Sequence, residues 1–195
     1  SPYCKPGLVT LRVTSSAKTL SDAQSKSNKT VNELTKILGK TVCGVDVENI
    51  EYVVVNKLKE KKLKLSVAES CTAGKISAAI TSVPGASEVF DFGASTYSNS
   101  MKQKLLEVSF DTLNKFGAVS AETACAMSRG IFEYSGADIG LAVTGVAGPG
   151  QSENKPAGLV YISLYDGKHT WVEKMMVGNA DKDRERVRNN AVTHA

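Results

Sequence analysis

Histidine, proline and aromatic residues are scarce in this 195-residue chain, which holds two histidines, five prolines and one tryptophan. Its four cysteines, Cys4, Cys43, Cys71 and Cys125, form no C-x-x-C pair. With only His169 and His194 to join them, the spacing of a zinc cage is missing, and neither a metal nor a cofactor is expected. Both histidines lie toward the C-terminal end, which argues against a Ser-His-Asp triad. The apolar runs are far too short to span a bilayer. No secretory or twin-arginine leader is recognisable, and the scattered cysteines look unpaired, so the cytoplasm is the expected location. The sequence opens at Ser1-Pro2-Tyr3 and runs almost directly into a strand pattern, which reads as a boundary cut from something longer.

A strong charge of one sign is also missing. Lys and Arg number 24 against 20 Asp and Glu, for a net charge of +4. The first 65 residues carry 12 basic and 6 acidic side chains, so the remainder is net −2. The basic balance therefore belongs to the N-terminal third and is no nucleic-acid footprint of the larger part. With 42% hydrophobic and 23% charged residues, the composition is that of a globular protein of one domain or slightly more.

Residues 8–14 alternate apolar and polar and predict a strand. Thr19-Leu-Ser-Asp22 has the form of a helix start, and Val31, Leu34, Ile37 and Leu38 keep helical spacing up to Gly39. A short strand is expected near Thr41–Cys43, completing a small β-α-β piece. Asp46 is placed to cap a helix over roughly 47–61, whose last turns collect Lys57, Lys59, Lys61 and Lys62 in favour of its dipole. From residue 63 the pattern becomes α/β. Strands are predicted at 63–67, 92–97, 138–144, 157–165 and 169–177, with helices after Gly74, after Ser100, from the N-cap Ser120 to about Tyr134, and from about Asp181. Asp166-Gly167 marks a hairpin. The fold class expected is a three-layer α/β/α sandwich, with a mostly parallel sheet and an antiparallel edge hairpin.

In open α/β sheets, chemistry gathers in loops beyond the carboxyl ends of the strands. Two such loops, 68–75 and 144–150, are rich in hydroxyl groups and glycine. Ser70 sits where a strand turns into a helix, with backbone N–H groups following it, the geometry of a nucleophile elbow; a serine there most simply caps the helix. Cys71 is the rival nucleophile, although a small apolar cysteine at a helix start is usually core. The base for such a serine would have to be a lysine, desolvated to lose its proton. Lys75, Lys102, Lys104 and Lys155 are the candidates, and the position of Lys102 at the same sheet rim favours it. Ser15-x-x-Lys18 matches a serine-lysine spacing by chance, in a polar stretch. Gly145, Gly148 and Gly150 lack the order of a dinucleotide loop and suggest a pocket wall or a tight connection. Of Arg184, Arg186 and Arg188, only an arginine near the helix start can reach the rim and grip a phosphate.

Six segments then resemble one family: Ala68-Glu-Ser-Cys-Thr72, Val83-Pro-Gly-Ala-Ser87, Thr96-Tyr-Ser-Asn99 with Lys102, Gly117-Ala-Val-Ser120, Val143-Thr-Gly-Val-Ala-Gly-Pro149 and Lys155-Pro156. Together they resemble the C-terminal domain of CinA proteins, the nicotinamide-nucleotide amidohydrolase also called PncC. The resemblance implies an amidohydrolase domain over 46–195 and a small KH-like connecting domain over 1–45, with the molybdopterin-cofactor-type N-terminal domain of such proteins not included. It implies hydrolysis of the carboxamide of nicotinamide mononucleotide to nicotinate mononucleotide and ammonia, without a metal and with the nucleotide as the partner. Ser70 is then the nucleophile and Lys102 its base; Tyr97 shapes the ring pocket, Thr144 bonds the amide or supports the dyad, and Arg184 holds the phosphate. Thr72, Gly74, Asn99 and Gly145 complete the implied binding set, and a homodimer is implied. The chain departs from the family at Ala73, where a second glycine is usual, and in the longer Gly178-to-Arg184 segment before the last helix. Residues 1–45 hold no G-x-x-G loop, which argues against RNA binding. The alternative is a competence- or damage-inducible module that binds or dimerises without catalysis.

Overall fold

The computed structural model describes residues 1–5, 8–47, 49–178, 180 and 182–195. The chain opens with the antiparallel hairpin β1 (Pro2–Lys5) and β2 (Leu8–Leu11), followed by helix α1 (Leu20–Leu38). Thr19 caps α1, its Oγ accepting from the Asp22 N–H at 3.1 Å. The expected strand at Thr41–Cys43 does not form; residues Gly39–Thr41 close the helix as a 3-10 turn. The β-α-β piece expected for residues 1–45 is therefore corrected to a hairpin and a helix: the strand pattern at residue 8 finds its partner in residues 2–5. None of the described residues of 1–47 is buried.

Helix α2 (Ile50–Lys61) is capped by Asn49, whose Oδ1 accepts from the Tyr52 N–H at 3.1 Å. Asp46, expected in that role, has a positive φ of 53° outside the helix. The rest alternates as β3 (Leu65–Glu69), α3 (Lys75–Thr81), β4 (Phe90–Ser95), α4 (Asn99–Leu106), α5 (Phe110–Phe116), α6 (Ala121–Ser135), β5 (Ile139–Gly145), β6 (Leu159–Tyr165), β7 (Thr170–Met176) and α7 (Arg184–His194). The short helix α5, capped by Ser109, has no counterpart in the sequence reading. The helix start predicted near Asp181 lies outside the described residues.

Five strands form one sheet in the order β4-β3-β5-β6-β7; β3 is parallel to β4 and β5, while β6 and β7 run antiparallel beyond them. Strand alternation sorts side chains to two faces. Leu65, Val67, Leu141, Val143, Val160 and Ile162 pack with α2, α3 and α7. Ala68 and Ala142 pack on the other face with Leu106 of α4, Leu113 of α5, and Met127 and Ile131 of α6. The three-layer sandwich is thus built, with each fully buried valine or leucine contributing about 1.5–3 kcal/mol. Helices α4 and α6 approach closely at Gly130, where a Cβ would lie 2.1 Å from Leu106 O. No helix among the described residues is long and apolar enough to cross a membrane.

Candidate active site

All five residues of β3 are buried, and the alternation that sends Val67 and Glu69 toward α3 sends Ala68 and Ser70 toward α4. Glu69, fully buried, turns its carboxylate under the start of α3. Oε2 accepts from the Gly74 and Ile76 N–H groups at 2.9 and 3.0 Å, and Oε1 from Ser77 N–H and Ser77 Oγ at 2.9 and 2.7 Å. The first amides of α3 are therefore consumed by Glu69 and are not open toward Ser70. Gly74, with φ of 91°, makes the tight entry to this helix.

Ser70 is anchored through its own N–H to Val143 O at 2.9 Å and is 9% exposed. Its neighbour Cys71 points into the core. Burial pushes the Cys71 thiol up to about 11, so it stays protonated and unreactive at neutral pH.

The partner of Ser70 comes from α4. Ser98 caps this helix, its Oγ accepting from the Met101 N–H at 3.2 Å, and one helical face carries Lys102 and Leu106 inward. Lys102 is 1% exposed. Its Nζ lies 2.9 Å from Thr96 O, 3.3 Å from Tyr97 O and 3.2 Å from Ser70 Oγ. Thr96 is tied back to the nucleophile strand, its N–H donating to Glu69 O at 2.8 Å. Burial lowers the pKa of Lys102 from the ordinary 10.5, opposed by the negative charge of Glu153 and by Cys71. Two carbonyls can only accept, so they claim two hydrogens of Nζ. In the neutral amine the lone pair is then left for the third neighbour, the Ser70 hydroxyl.

Of the other lysines weighed for this role, Lys75 faces α7, where it pairs with Glu185 and donates to Asn189 Oδ1 at 2.9 Å. Lys155 donates to Phe116 O at 2.6 Å and pairs with Glu153. Lys104 is exposed. The Glu153 carboxylate, despite partial burial that acts to raise its pKa, is held below the usual range by the N–H groups of Ala118 and Val119 and by Lys155.

Around the pair, Thr144 shares the Ser70 face of the sheet and is fully buried, its hydroxyl donating to Ala118 O at 2.7 Å. Gly145 ends β5 opposite Val160, and a Cβ there would stand 2.8 Å from Leu159 O, so its lack of a side chain serves close packing. Tyr97 is 60% exposed, and its hydroxyl accepts from Arg184 Nη2 at 3.1 Å. Arg184, the first residue of α7, also donates through Nη1 to Gly148 O, so the tyrosine, the glycine loop and the arginine meet at one rim. Thr72 is buried, and its Oγ1 has no partner among the described residues; the same is true of Thr96 Oγ1. Asn99 is the exposed first residue of α4. Among the described residues, no group of three or more His, Cys, Asp or Glu could hold a metal ion.

Two contributors escaped the motif reading. Glu69 was legible in principle, since a carboxylate in a strand as apolar as Leu65–Ala68 must find buried donors. Arg188 reaches from α7 to the carbonyls of Cys71 and Thr72 at 3.1 and 2.8 Å, a contact over more than a hundred residues that no local pattern signals.

The model of the CinA C-terminal domain matches residues 47–195. The chain is 43% identical over 196 residues to a CinA-like protein of Kosmotoga olearia, matching all of this chain and 47% of that protein. It is 40% identical over 196 residues to a CinA-like protein of Desulfovibrio desulfuricans, again over its whole length and 46% of the other. The chain spans about half the length of the curated relatives it matches. Among solved structures, the competence/damage inducible protein CihA of Agrobacterium tumefaciens superposes with a TM-score of 0.72 at 38% identity, covering 78% of this chain and 92% of that one. A CinA superfamily protein of Escherichia coli gives a TM-score of 0.72 at 28% identity, covering 81% and 94%.

Proposed function

The chain belongs to the family of CinA C-terminal domains, and from that premise we propose that it hydrolyses the carboxamide of nicotinamide mononucleotide, giving nicotinate mononucleotide and ammonia. The observation that carries the reading is the buried amine of Lys102, held 3.2 Å from Ser70 Oγ by two backbone carbonyls. A lysine that makes no ion pair among the described residues, and whose pKa burial lowers against the more distant charge of Glu153, is suited to act as a base.

In the first half-reaction Ser70 Oγ attacks the carboxamide carbon while its proton passes to Lys102 Nζ. The electron-poor pyridinium ring activates that carbon. The tetrahedral intermediate collapses with cleavage of the C–N bond; Lys102 returns the proton to the departing nitrogen, and ammonia leaves. Water then attacks the Ser70 ester, again giving a proton to Lys102. As the Oγ–C bond breaks Lys102 passes that proton to Oγ, restoring the serine and the neutral amine, while the nicotinate product leaves and gives up its own acidic proton to solvent. Arg184, at the rim beside Tyr97 and Gly148, supplies the cation for the substrate phosphate. The domain is not basic overall, so affinity for an anionic nucleotide falls to such placed groups.

Ammonia release from nicotinamide mononucleotide, compared between the chain and its Ser70→Ala variant, tests the reading. We expect turnover by the first and none by the second. No turnover by the folded chain sinks the amidohydrolase, and undiminished turnover by the variant transfers the attack to another group.

A further inference from the structure

Arg188 turns its donors into the protein. Nε donates to Cys71 O at 3.1 Å and Nη2 to Thr72 O at 2.8 Å, while Nη1 donates to Glu185 Oε2 at 3.1 Å. A rigid guanidinium across two successive carbonyls fixes two successive peptide planes. Both peptides are trans, so in each the N–H points opposite to the carbonyl. With Cys71 O and Thr72 O directed at α7, the N–H groups of Thr72 and Ala73 are directed away from it. That is toward the α4 side, where Ser70 meets Lys102.

These two amides donate to no acceptor among the described residues, whereas the amides of Ser70, Gly74, Lys75, Ile76 and Ser77 are committed. Ser70 N–H goes to Val143 O, Lys75 N–H to Thr72 O, and the N–H groups of Gly74, Ile76 and Ser77 to Glu69. The buried Thr72 hydroxyl is likewise without a partner. Thr72 is fully buried and Ala73 exposed, so an unpaired donor and hydroxyl at Thr72 are costly while the Ala73 N–H faces solvent; a turn with donors at the mouth of the site is one that a ligand completes.

We propose that Arg188 is the positioning residue of the nucleophile turn. It holds the carbonyls of Cys71 and Thr72 so that the N–H groups of Thr72 and Ala73 meet the oxyanion formed when Ser70 attacks the carboxamide. The inference rests on the amidohydrolase reading above. It gives the two arginines separate work: Arg184 faces the substrate phosphate, and Arg188 acts only through the backbone.

Two readouts on Arg188→Ala test this. The first is the separate kcat and KM for nicotinamide mononucleotide. The second is the rate at which a small alkyl fluorophosphonate labels Ser70, forming the Oγ–P bond with loss of fluoride and placing a phosphoryl oxygen where the oxyanion would be. Loss of one oxyanion donor costs roughly 100–1,000-fold in kcat elsewhere, and a misaimed pair should cost at least ~10-fold. We expect kcat and the labelling rate to fall together by that factor, with KM within about threefold, and the exposed control Arg186→Ala to leave both unchanged. If Arg188→Ala does not fold, Arg188→Lys serves with the same readouts, since one ammonium can hold one carbonyl firmly and an intermediate loss is expected. A raised KM with kcat intact overturns the proposal by making Arg188 a phosphate ligand. Unchanged labelling also overturns it. A wild-type chain that neither turns over the nucleotide nor labels is a failure of the amidohydrolase reading itself.

Discussion

Glu69 offers a direct test of how the turn before α3 is held. Its two oxygens divide four donors: Oε2 serves Gly74 and Ile76, and Oε1 serves Ser77 N–H and Ser77 Oγ. Glu69→Ala strands three amides and a hydroxyl around a cavity. An orphaned buried donor costs about 1–3 kcal/mol; Gly74 and Ser77 are half-buried, so water recovers part of this, and the Ser77 hydroxyl can turn elsewhere. The expected loss is about 3–5 kcal/mol, one fully buried amide and two half-buried ones at about 1–3 kcal/mol each, less the share that water recovers. Glu69→Gln should behave differently. With its carbonyl oxygen in the place of Oε2, both Gly74 and Ile76 keep an acceptor, and its NH2 donates to Ser77 Oγ, so only the Ser77 N–H is stranded. That variant should lose about 1–3 kcal/mol. Guanidinium unfolding of the two variants, analysed at equal m, measures the difference. If glutamine costs as much as alanine, or if alanine costs under about 1 kcal/mol, the division of donors described here is wrong.

Further outcomes follow from the same geometry. Burial lowers the Lys102 pKa, so activity should rise with pH to a midpoint below 10.5. Between the folded value and the ordinary one the unfolded chain binds the proton and the native state does not, so native stability also rises with pH across that window. Lys102→Met should lose roughly 100–10,000-fold in kcat and abolish that ascending limb; a pH–rate profile retaining the limb assigns it to another group. Arg184→Ala should raise KM for the nucleotide roughly 10–100-fold, the equivalent of one charge-assisted hydrogen bond of about 1.5–3 kcal/mol, and an unchanged KM removes Arg184 from the phosphate site. Ala73 has φ of 49°, where a Cβ costs about 1–2 kcal/mol. Glycine gives back about 0.5–1 kcal/mol in entropy, so Ala73→Gly should stabilise by up to about 1 kcal/mol in thermal or denaturant unfolding, and a destabilised variant contradicts the backbone described.

The serine and lysine were readable because each is announced locally. Ser70 follows a strand that is buried along its whole length, Lys102 stands one turn into a helix that begins at a strand end, and both therefore map to one sheet rim. The outer strands and α6 were equally plain, from β-branched runs, the Asp166-Gly167 turn and the Ser120 cap. What failed lay where local patterns compete. Thr41–Cys43 has β-branched residues but, among the described residues, no strand beside it to pair with, and Gly39–Thr41 closes α1 as a 3-10 turn instead. Asp46 and Asn49 are both good caps, and the helix takes the later one. The commitment of the α3 amides to Glu69 and the reach of Arg188 depend on which face of the sheet each element occupies, and sequence spacing carries no record of that choice.

Adjacent in the chain, Glu69 and Ser70 serve opposite layers, one under α3 and the other against α4. That separation is a matter of phase in a two-residue repeat. Deleting a single residue within Leu65–Glu69 would shift Ser70 and Glu69 by one place in the ladder, turning the hydroxyl toward the apolar side and the carboxylate toward Lys102. A carboxylate there would form an ion pair with the amine and hold its proton. The strand is thus a parity gauge: its length in residues, counted odd or even, decides whether the hydroxyl or the carboxylate is on the side of Lys102.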